Sequence, residues 1–495
     1  MKNMENFSNF ANTSPDLLTY SNSGLNQNIK RPDANVQESL LTNTPSQPTI
    51  ALLPFGDLIE DFLDSIGVSF EVFCNEFMGS WMFGYIDALQ MVGVRTVLFC
   101  FSVNVTEPSR FTHAPTGAII CVLPAPRIYR AYRGVRRQAL NVSGVSENEK
   151  FSDVYATTSD RPSLLVALKD AVKNLGSYLS TPLRLLAVEL RREGCNAILC
   201  QEYEYARFDA CVLLGKLMGL PVFATFQGGD KQQSFMEYPL RPLAMRGCAG
   251  LIIPTQTEIQ RVSADYGVSS AKVARIFNPL NVGTWCAINR DEARATLGIP
   301  LDASVLVWHG RVEIERKGLD VLLDAWKEIC FERPEKDLRL LLVGTGSDAN
   351  KLRQRLETMQ LRGVMWVNEF VRDRTRIQQY LSAANVYTLP SRQEGFPVAP
   401  VEAMACGLPV VAADAPGVPD ILEEGEASGG LVVPRGDATA LALALSRVLD
   451  DEAWARELGK RARSRAEKYF SPLAIGKQLS DFLLSQRVHR NFGQV

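Results

Sequence analysis

Two glutamates eight positions apart, Glu394 and Glu402, lie in the segment SRQEGFPVAPVEAMACG, with Gly395, Phe396, Pro397 and Val398 between them. The segment falls between two apolar runs, Val386–Leu389 and Pro409–Ala413, that read as strands. In a parallel α/β sheet the loop after a strand and the start of the next helix form the ligand crevice, where free backbone N–H groups attract phosphate. One carboxylate on such a loop and one on the helix can reach different ends of a phosphate-linked ligand. The same spacing also fits a surface helix glutamate beside an ordinary turn at Gly395–Phe396–Pro397. A second constellation is Arg311 and Lys317, six apart in WHGRVEIERKG at the mouth of a strand-to-helix turn. Fixed cations there stabilise negative charge growing on a phosphate leaving group without a metal. An exposed basic loop would carry the same residues.

The elements that must position these groups belong to a long chain. With 495 residues, several domains of roughly 100–200 residues fit. The composition, 46% apolar and 22% charged, is that of a soluble globular protein, and the net charge of −2 gives no reason to expect nucleic acid as a partner. Ten scattered cysteines without a C-x-x-C pair read as reduced thiols, and the three histidines (His113, His309, His489) lack the spacing of a zinc site. Apolar runs such as Val97–Val105 and Ala118–Pro124 are strand-sized rather than the ~20 residues that span a bilayer. The N-terminus lacks the basic and apolar regions of a secretory signal, which makes the cytoplasm the expected location.

Residues 1 to 48, rich in Asn, Ser, Thr and Pro, are expected to form a disordered tail. Beyond them, apolar runs alternate with amphipathic stretches, the pattern of a doubly wound α/β chain. The first half is expected to hold a strand Val68–Phe73, a glycine loop Met78–Ser80, a helix Met82–Val92 and a strand Thr96–Phe101. Further on come strand Ala197–Cys200, helix Ala206–Met218 and strand Val222–Thr225. The second half reads as strand Val305–Trp308, a helix with Leu319, Leu322, Leu323, Trp326, Ile329 and Cys330 on one face, strand Leu338–Val343, helix Ala349–Met359, strand Val364–Phe370 and helix Thr375–Ala383.

At Glu394 and Glu402, continued by EAMACGLPVVAADAPGVPDIL, and at the Gly-Arg…Lys-Gly of residues 310–318, the chain resembles the retaining family 4 glycosyltransferases of GT-B fold. The resemblance covers most of Ser304–Phe470. It implies two Rossmann-like domains facing across a cleft, an N-terminal acceptor domain over 49–283 and a nucleotide-sugar domain over 284–470, with 471–495 returning as a helix to the first. It further implies that Arg311 and Lys317 bind the diphosphate, that Glu402 takes the ribose hydroxyls, and that Glu394 lies near the donor sugar. Backbone N–H groups of Phe396–Val398 would then approach sugar and phosphate, Phe370 and Val371 the base, and Gly79 would stand in the glycine loop after the first strand. No cofactor is implied beyond the nucleotide-sugar substrate, and the absence of an Asp-x-Asp pair favours a metal-independent reaction.

Several residues depart from the pattern or sit beside it. Gly344-Thr-Gly346 resembles a dinucleotide fingerprint, but Ala349 stands at the third glycine, which leaves a turn element and makes an oxidoreductase a weak alternative. A catalytically silent GT-B sugar-binding protein is the other alternative. Many family members have a histidine where this chain has Gln227, and an amide cannot shuttle a proton. Glu202 and Glu204 are acceptor-side candidates in a loop that reads as solvated. His309 reads as a packed or hydrogen-bonded side chain. The stretch RIYRAYRGVRRQ (127–138) carries five arginines, and 141–160 reads as a surface insertion. The basic stretch fits a solvated face or peripheral contact with a membrane, so the acceptor hydroxyl is expected on a lipid, a glycan or a small molecule.

Overall fold

A computed structural model describes residues 47–78, 80–134, 176–228 and 237–485. Two parallel sheets form two lobes. In the N-terminal lobe, β1 (Thr49–Leu53), β2 (Arg95–Ser102), β3 (Ser109–Thr112), β4 (Ile119–Pro124), β5 (Ala197–Cys200), β6 (Val222–Thr225), β7 (Gly250–Ile252) and β8 (Val273–Ala274) run in the order β3-β4-β2-β1-β5-β6-β7-β8. Within this sheet β3 is antiparallel to β4. In the C-terminal lobe, β9 (Ser304–His309), β10 (Leu338–Val343), β11 (Val364–Val367), β12 (Val386–Leu389), β13 (Val410–Ala413) and β14 (Gly430–Val433) run in the order β11-β10-β9-β12-β13-β14. All of its ladders are parallel.

Helices cover both faces of each sheet, so the strands must be apolar throughout rather than alternating. The sequences TIALL, AILC and VVAA are fully buried along their length. Burial of this kind stabilises at roughly 25 cal/mol per Å² of apolar surface. In β9 and β10 the register pairs His309 with Val343, which puts His309 at the C-terminal edge of the sheet, where a doubly wound fold places its ligand crevice.

The lobes share a core. Phe277 of the connection stacks on Phe396 and Phe470 at 5.4 and 5.0 Å between centroids, so a side chain of the 391–407 segment is part of the inter-lobe packing. Arg275 reaches across to Asp420 at 2.9 Å and Glu423 at 3.0 Å. The last helix, Pro472–Leu484, lies on helix Ser80–Met91, where Gly476 meets the Ala88 carbonyl with no room for a Cβ, and Phe482 packs edge-on to Phe223 at 5.4 Å.

The sequence expectations need four corrections here. The first strand is Thr49–Leu53, and the expected strand at Val68–Phe73 is instead a helix, Phe70–Asn75, capped by the Ser69 hydroxyl accepting from the Val72 N–H. Its four apolar residues fit either period, and the cap decides. The loop after the first strand therefore contains Gly56; Gly79 lies outside the described residues. Strand β11 ends at Val367, which leaves Phe370 and Val371 on the following loop. Residues 1–46 of the expected tail, the end of the RIYRAYRGVRRQ stretch beyond Gly134, and the 141–160 insertion also lie outside the described residues. Among the described residues no helix is long and apolar enough to cross a membrane.

Candidate functional site

The C-terminal edge of the second sheet gathers most of the charged candidates. Gly310 and Arg311 follow β9, and Lys317 ends the turn that leads into helix Leu319–Glu332. Glu394 and Gly395 follow β12 on the neighbouring strand, and Glu402 sits in the first turn of helix Ala399–Ala405. Lys317 Nζ donates to both carboxylate oxygens of Glu394, at 2.8 and 3.0 Å. His309 Nε2 lies 2.9 Å from Glu402 Oε2. Between the pairs, the buried Tyr387 ring stands edge-on to His309 at 5.4 Å. Burial first, and then the charges of Glu402 and Glu394, push the Tyr387 phenol well above its ordinary value, so it stays protonated.

The loop that carries Glu394 is clamped by Arg392, which forks onto both carboxylate oxygens of Asp320 at 2.8 and 2.7 Å and donates to the Glu315 carbonyl. That bidentate geometry fixes the loop against the start of helix Leu319–Glu332. Gly344 lies so close to the Gly310 carbonyl that any Cβ would collide with it, which gives the Gly-x-Gly segment a packing role beneath the Arg311 turn. Arg311 itself has a side chain 72% exposed, paired with Glu313 at 3.4 Å. The structure thus joins Lys317 to Glu394 and leaves Arg311 as an extended cation at the same mouth.

The remaining candidates divide. Phe396 is buried between Phe277 and Phe470, so its side chain serves the lobe contact, while Val398 is 42% exposed. Phe370 is 69% exposed on its loop, with the Arg372 guanidinium 6.0 Å from its ring centroid. Gly395 faces Gly228 of the N-terminal lobe backbone to backbone: a Cβ on Gly228 would stand 3.0 Å from Gly395 Cα, and one on Gly395 would press into Gly228. Here the two lobes touch beside the charged pairs.

Across that contact, Gln227 and Asn278 exchange amide hydrogen bonds at 3.1 and 3.0 Å, and Glu202 Oε2 accepts the Gln227 N–H at 3.0 Å. Glu202 and Glu204 are buried rather than solvated: Glu202 accepts the N–H groups of Glu204 and Gln227, while Arg241, wholly buried, binds Glu204 at 3.0 Å and Asp209 at 2.8 Å, and Arg261 binds Glu204 at 2.6 Å. Periodicity could not reveal this, since the partners come from helices 32 or more residues away. The loop after β1 is held in the same way: Arg207 donates to the Pro54 and Asp57 carbonyls, and Asp57 accepts from the hydroxyls of Tyr129 and Tyr205. A small cavity of about 60 Å³ opens there, lined by Phe55, Gly56, Ile59, Phe62, Met82 and Arg207 among others. Asn278 and Asp57 had no sequence signal beyond their polar type.

His113 is structural, stacked on Phe83 at 3.8 Å and bonded to Thr116 and the Phe77 carbonyl. Of the basic stretch, Arg133 forks onto Asp61 and Arg130 donates to the Ala125 and Val105 carbonyls, while Arg127 and Ile128 remain exposed. Among the described residues no group of three or more His, Cys, Asp or Glu is placed to hold a metal ion.

Two Rossmann-like lobes joined by a returning C-terminal helix, with an acid–base pair cluster at the strand edge of the second, define a GT-B glycosyltransferase fold. Residues 303–451 match the family described as Glycosyl transferases group 1. The chain is 32% identical over 233 residues to D-inositol 3-phosphate glycosyltransferase of Kineococcus radiotolerans, covering 44% of this chain and 53% of the relative. It is 30% identical over 225 residues to the enzyme of that name from Corynebacterium diphtheriae, covering 44% and 52%. The chain thus spans about half the length of the curated relatives it matches. In three dimensions it resembles HepE of Anabaena in complex with UDP, with a TM-score of 0.61, 16% identity, and 88% and 100% of the two chains covered. It also resembles sucrose-phosphate synthase of Thermosynechococcus elongatus, with a TM-score of 0.58, 20% identity, and 91% and 100% covered.

Proposed function

We propose that this chain is a family 4 glycosyltransferase that moves a hexosyl group from a nucleotide-diphosphate sugar to an acceptor hydroxyl, with retention and without a metal. The observation that carries the reading is the Lys317–Glu394 pair beside the exposed Arg311 at the strand edge of the group 1 domain. An ammonium has three donors, and two go to Glu394, so one remains for a phosphate oxygen. Arg311, free to swing, supplies the second cation. As the sugar–oxygen bond breaks, charge builds on the diphosphate, and both cations stabilise it there. Glu402 takes the ribose hydroxyls, Glu394 the hydroxyls of the donor sugar, and the Gly395–Val398 backbone approaches sugar and phosphate. Phe370 and Val371 border the base.

Among the described residues, the two acceptor-side candidates supply no general base. Gln227 is an amide tied to Asn278, and Glu202 already accepts two backbone N–H groups, those of Gln227 and Glu204. The departing phosphate oxygen therefore takes the acceptor proton as the acceptor attacks from the same face, which keeps the anomeric configuration. The UDP bound by HepE makes uridine nucleotides the first donors to try.

The test is a screen of UDP-, GDP- and ADP-sugars with lipid extracts, glycans and soluble polyols, read as nucleotide release, with proton NMR of the first product and a parallel run in chelator. Donor-dependent release, a retained anomer and insensitivity to chelator are expected. An inverted product, or inhibition by chelator that Mg²⁺ reverses, contradicts the reading. Sedimentation with anionic vesicles separates a cytoplasmic enzyme that touches membranes through Arg127 and Ile128 from one that remains in the supernatant.

A further inference from the structure

We infer that His309 is a positioning residue for the nucleotide site: it holds the Glu402 carboxylate in the orientation that receives two neighbouring ribose hydroxyls, and so sets the preference for ribose over deoxyribose. The inference rests on the assignment of Glu402 to the ribose.

Three observations support it. His309 Nε2 is 2.9 Å from Glu402 Oε2, a hydrogen-bond distance that only the Nε2–H ring can use toward a carboxylate. The ring cannot turn away, because it closes β9 with only 9% of its surface exposed and is packed edge-on by Tyr387. Its other nitrogen, Nδ1, is buried with no hydrogen-bond partner. An orphaned ring nitrogen costs free energy, so the ring orientation is retained by what Nε2 does rather than by a second anchor.

Glutamate needs such an anchor. Its terminal torsion is broad and two-fold, and the Glu402 side chain is 20% exposed, so alone it would sample many carboxylate planes. Paired hydroxyls bind both oxygens of a carboxylate only in a narrow range of those planes. Fixing Oε2 to His309 leaves Oε1 and the remaining lone pairs of Oε2 pointed at the cleft before the nucleotide arrives, and the ordering cost is met in folding rather than in binding. In metal sites, partners that orient a ligating side chain change affinity by about 10–100-fold when removed, and the lower end of that scale is expected for the weaker hydroxyl contacts here. The same group sharpens selectivity, because a site built to bond a hydroxyl rejects the analogue lacking it.

The experiment is calorimetric titration of the full chain with UDP, 2′-deoxy-UDP and 3′-deoxy-UDP, or with the corresponding GDP or ADP set if one of those binds more tightly. Wild type, Glu402→Ala, His309→Phe and His309→Gln are compared. Wild type should favour the ribonucleotide, and Glu402→Ala should lose that preference. His309→Phe should weaken ribonucleotide binding about tenfold while leaving the deoxy analogues unchanged. His309→Gln, whose amide nitrogen can stand where Nε2 stands, should restore most of the preference. If Glu402→Ala keeps the preference, or no nucleotide binds, the nucleotide-site reading itself fails and the inference falls with it. If Glu402→Ala loses the preference but His309→Phe keeps it, or weakens all three ligands equally, His309 is core packing and this inference alone is overturned.

Discussion

At the scale of single residues, Arg311 and Lys317 look alike in sequence and behave differently in the fold. Both are cations on one turn, yet Arg311 is 72% exposed while Lys317 neutralises a carboxylate whose side chain is 9% exposed. Arg311→Ala should therefore leave thermal stability within about 0.5 kcal/mol of wild type, as surface substitutions do, and act on turnover alone. Lys317→Ala should lower turnover on the order of 100-fold or more and also destabilise, because Glu394 is left partly buried and unpaired. Chemical unfolding and turnover measured on both variants check this. Equal stability of the two would mean that the Lys317–Glu394 pair contributes nothing to folding.

At the scale of elements, the loop after β12 is fixed from two sides, by the Arg392–Asp320 fork within its lobe and by the Gly395–Gly228 approach across the cleft. A methyl group at Gly395 cannot fit without moving the lobes apart. Gly395→Ala should raise the radius of gyration seen by solution scattering and cut turnover, with an overpacking cost of about 1–3 kcal/mol. An unchanged radius with wild-type turnover would show that the contact is not needed. Farther from the site, Asp450 ends helix Ala438–Asp450 and binds Arg333 at 2.6 Å and Lys336 at 2.7 Å. These hydrogen bonds, Arg333 first, hold its carboxyl at about 2, below the ordinary 3.8. The stabilisation is thus complete above about pH 4 and is lost as pH falls toward 2. With the side chain 45% exposed, solvent screening limits it to about 1 kcal/mol. Urea unfolding of wild type and Asp450→Asn should differ at pH 6, and the gap should shrink below about pH 4 and close toward pH 2; a constant gap would refute the linkage.

At the scale of the whole molecule, the cysteines test the packing of both lobes. Of the ten, Cys286 is exposed, Cys330 is intermediate and the others are buried. Burial also pushes two of these thiols up, Cys74 to about 11 and Cys406 to about 12, so those two are neither accessible nor ionised at neutral pH. Alkylation of the native protein at pH 7.5 should modify Cys286 first, Cys330 slowly, and the rest only on unfolding. Rapid modification of Cys406, next to helix Ala399–Ala405, would mean that the second lobe opens in solution.

Period and punctuation alone determined most of the second lobe. Strand Leu338–Val343, helix Ala349–Met359 and strand Val386–Leu389 have the boundaries expected of them, because a strand buried on both faces reads as an unbroken apolar run and its helices carry one apolar stripe. The spacing of Glu394 to Glu402, and of Arg311 to Lys317, pointed to a phosphate-bearing ligand in the same way. Tertiary structure decided what spacing does not encode. Phe70–Asn75 is too short for its period to distinguish helix from strand, and packing with a Ser69 cap settled it. Glu202 and Glu204 lie in a polar loop, yet both are buried, Glu204 because Arg241 and Arg261 arrive from distant helices and Glu202 beneath the Gln227 N–H. Which carboxylate meets which partner, Glu394 with Lys317 and Glu402 with His309, was fixed only when β9 and β12 came to lie side by side. Sequence separation carries no information about such contacts, since a parallel sheet brings strand ends together across whole crossover helices.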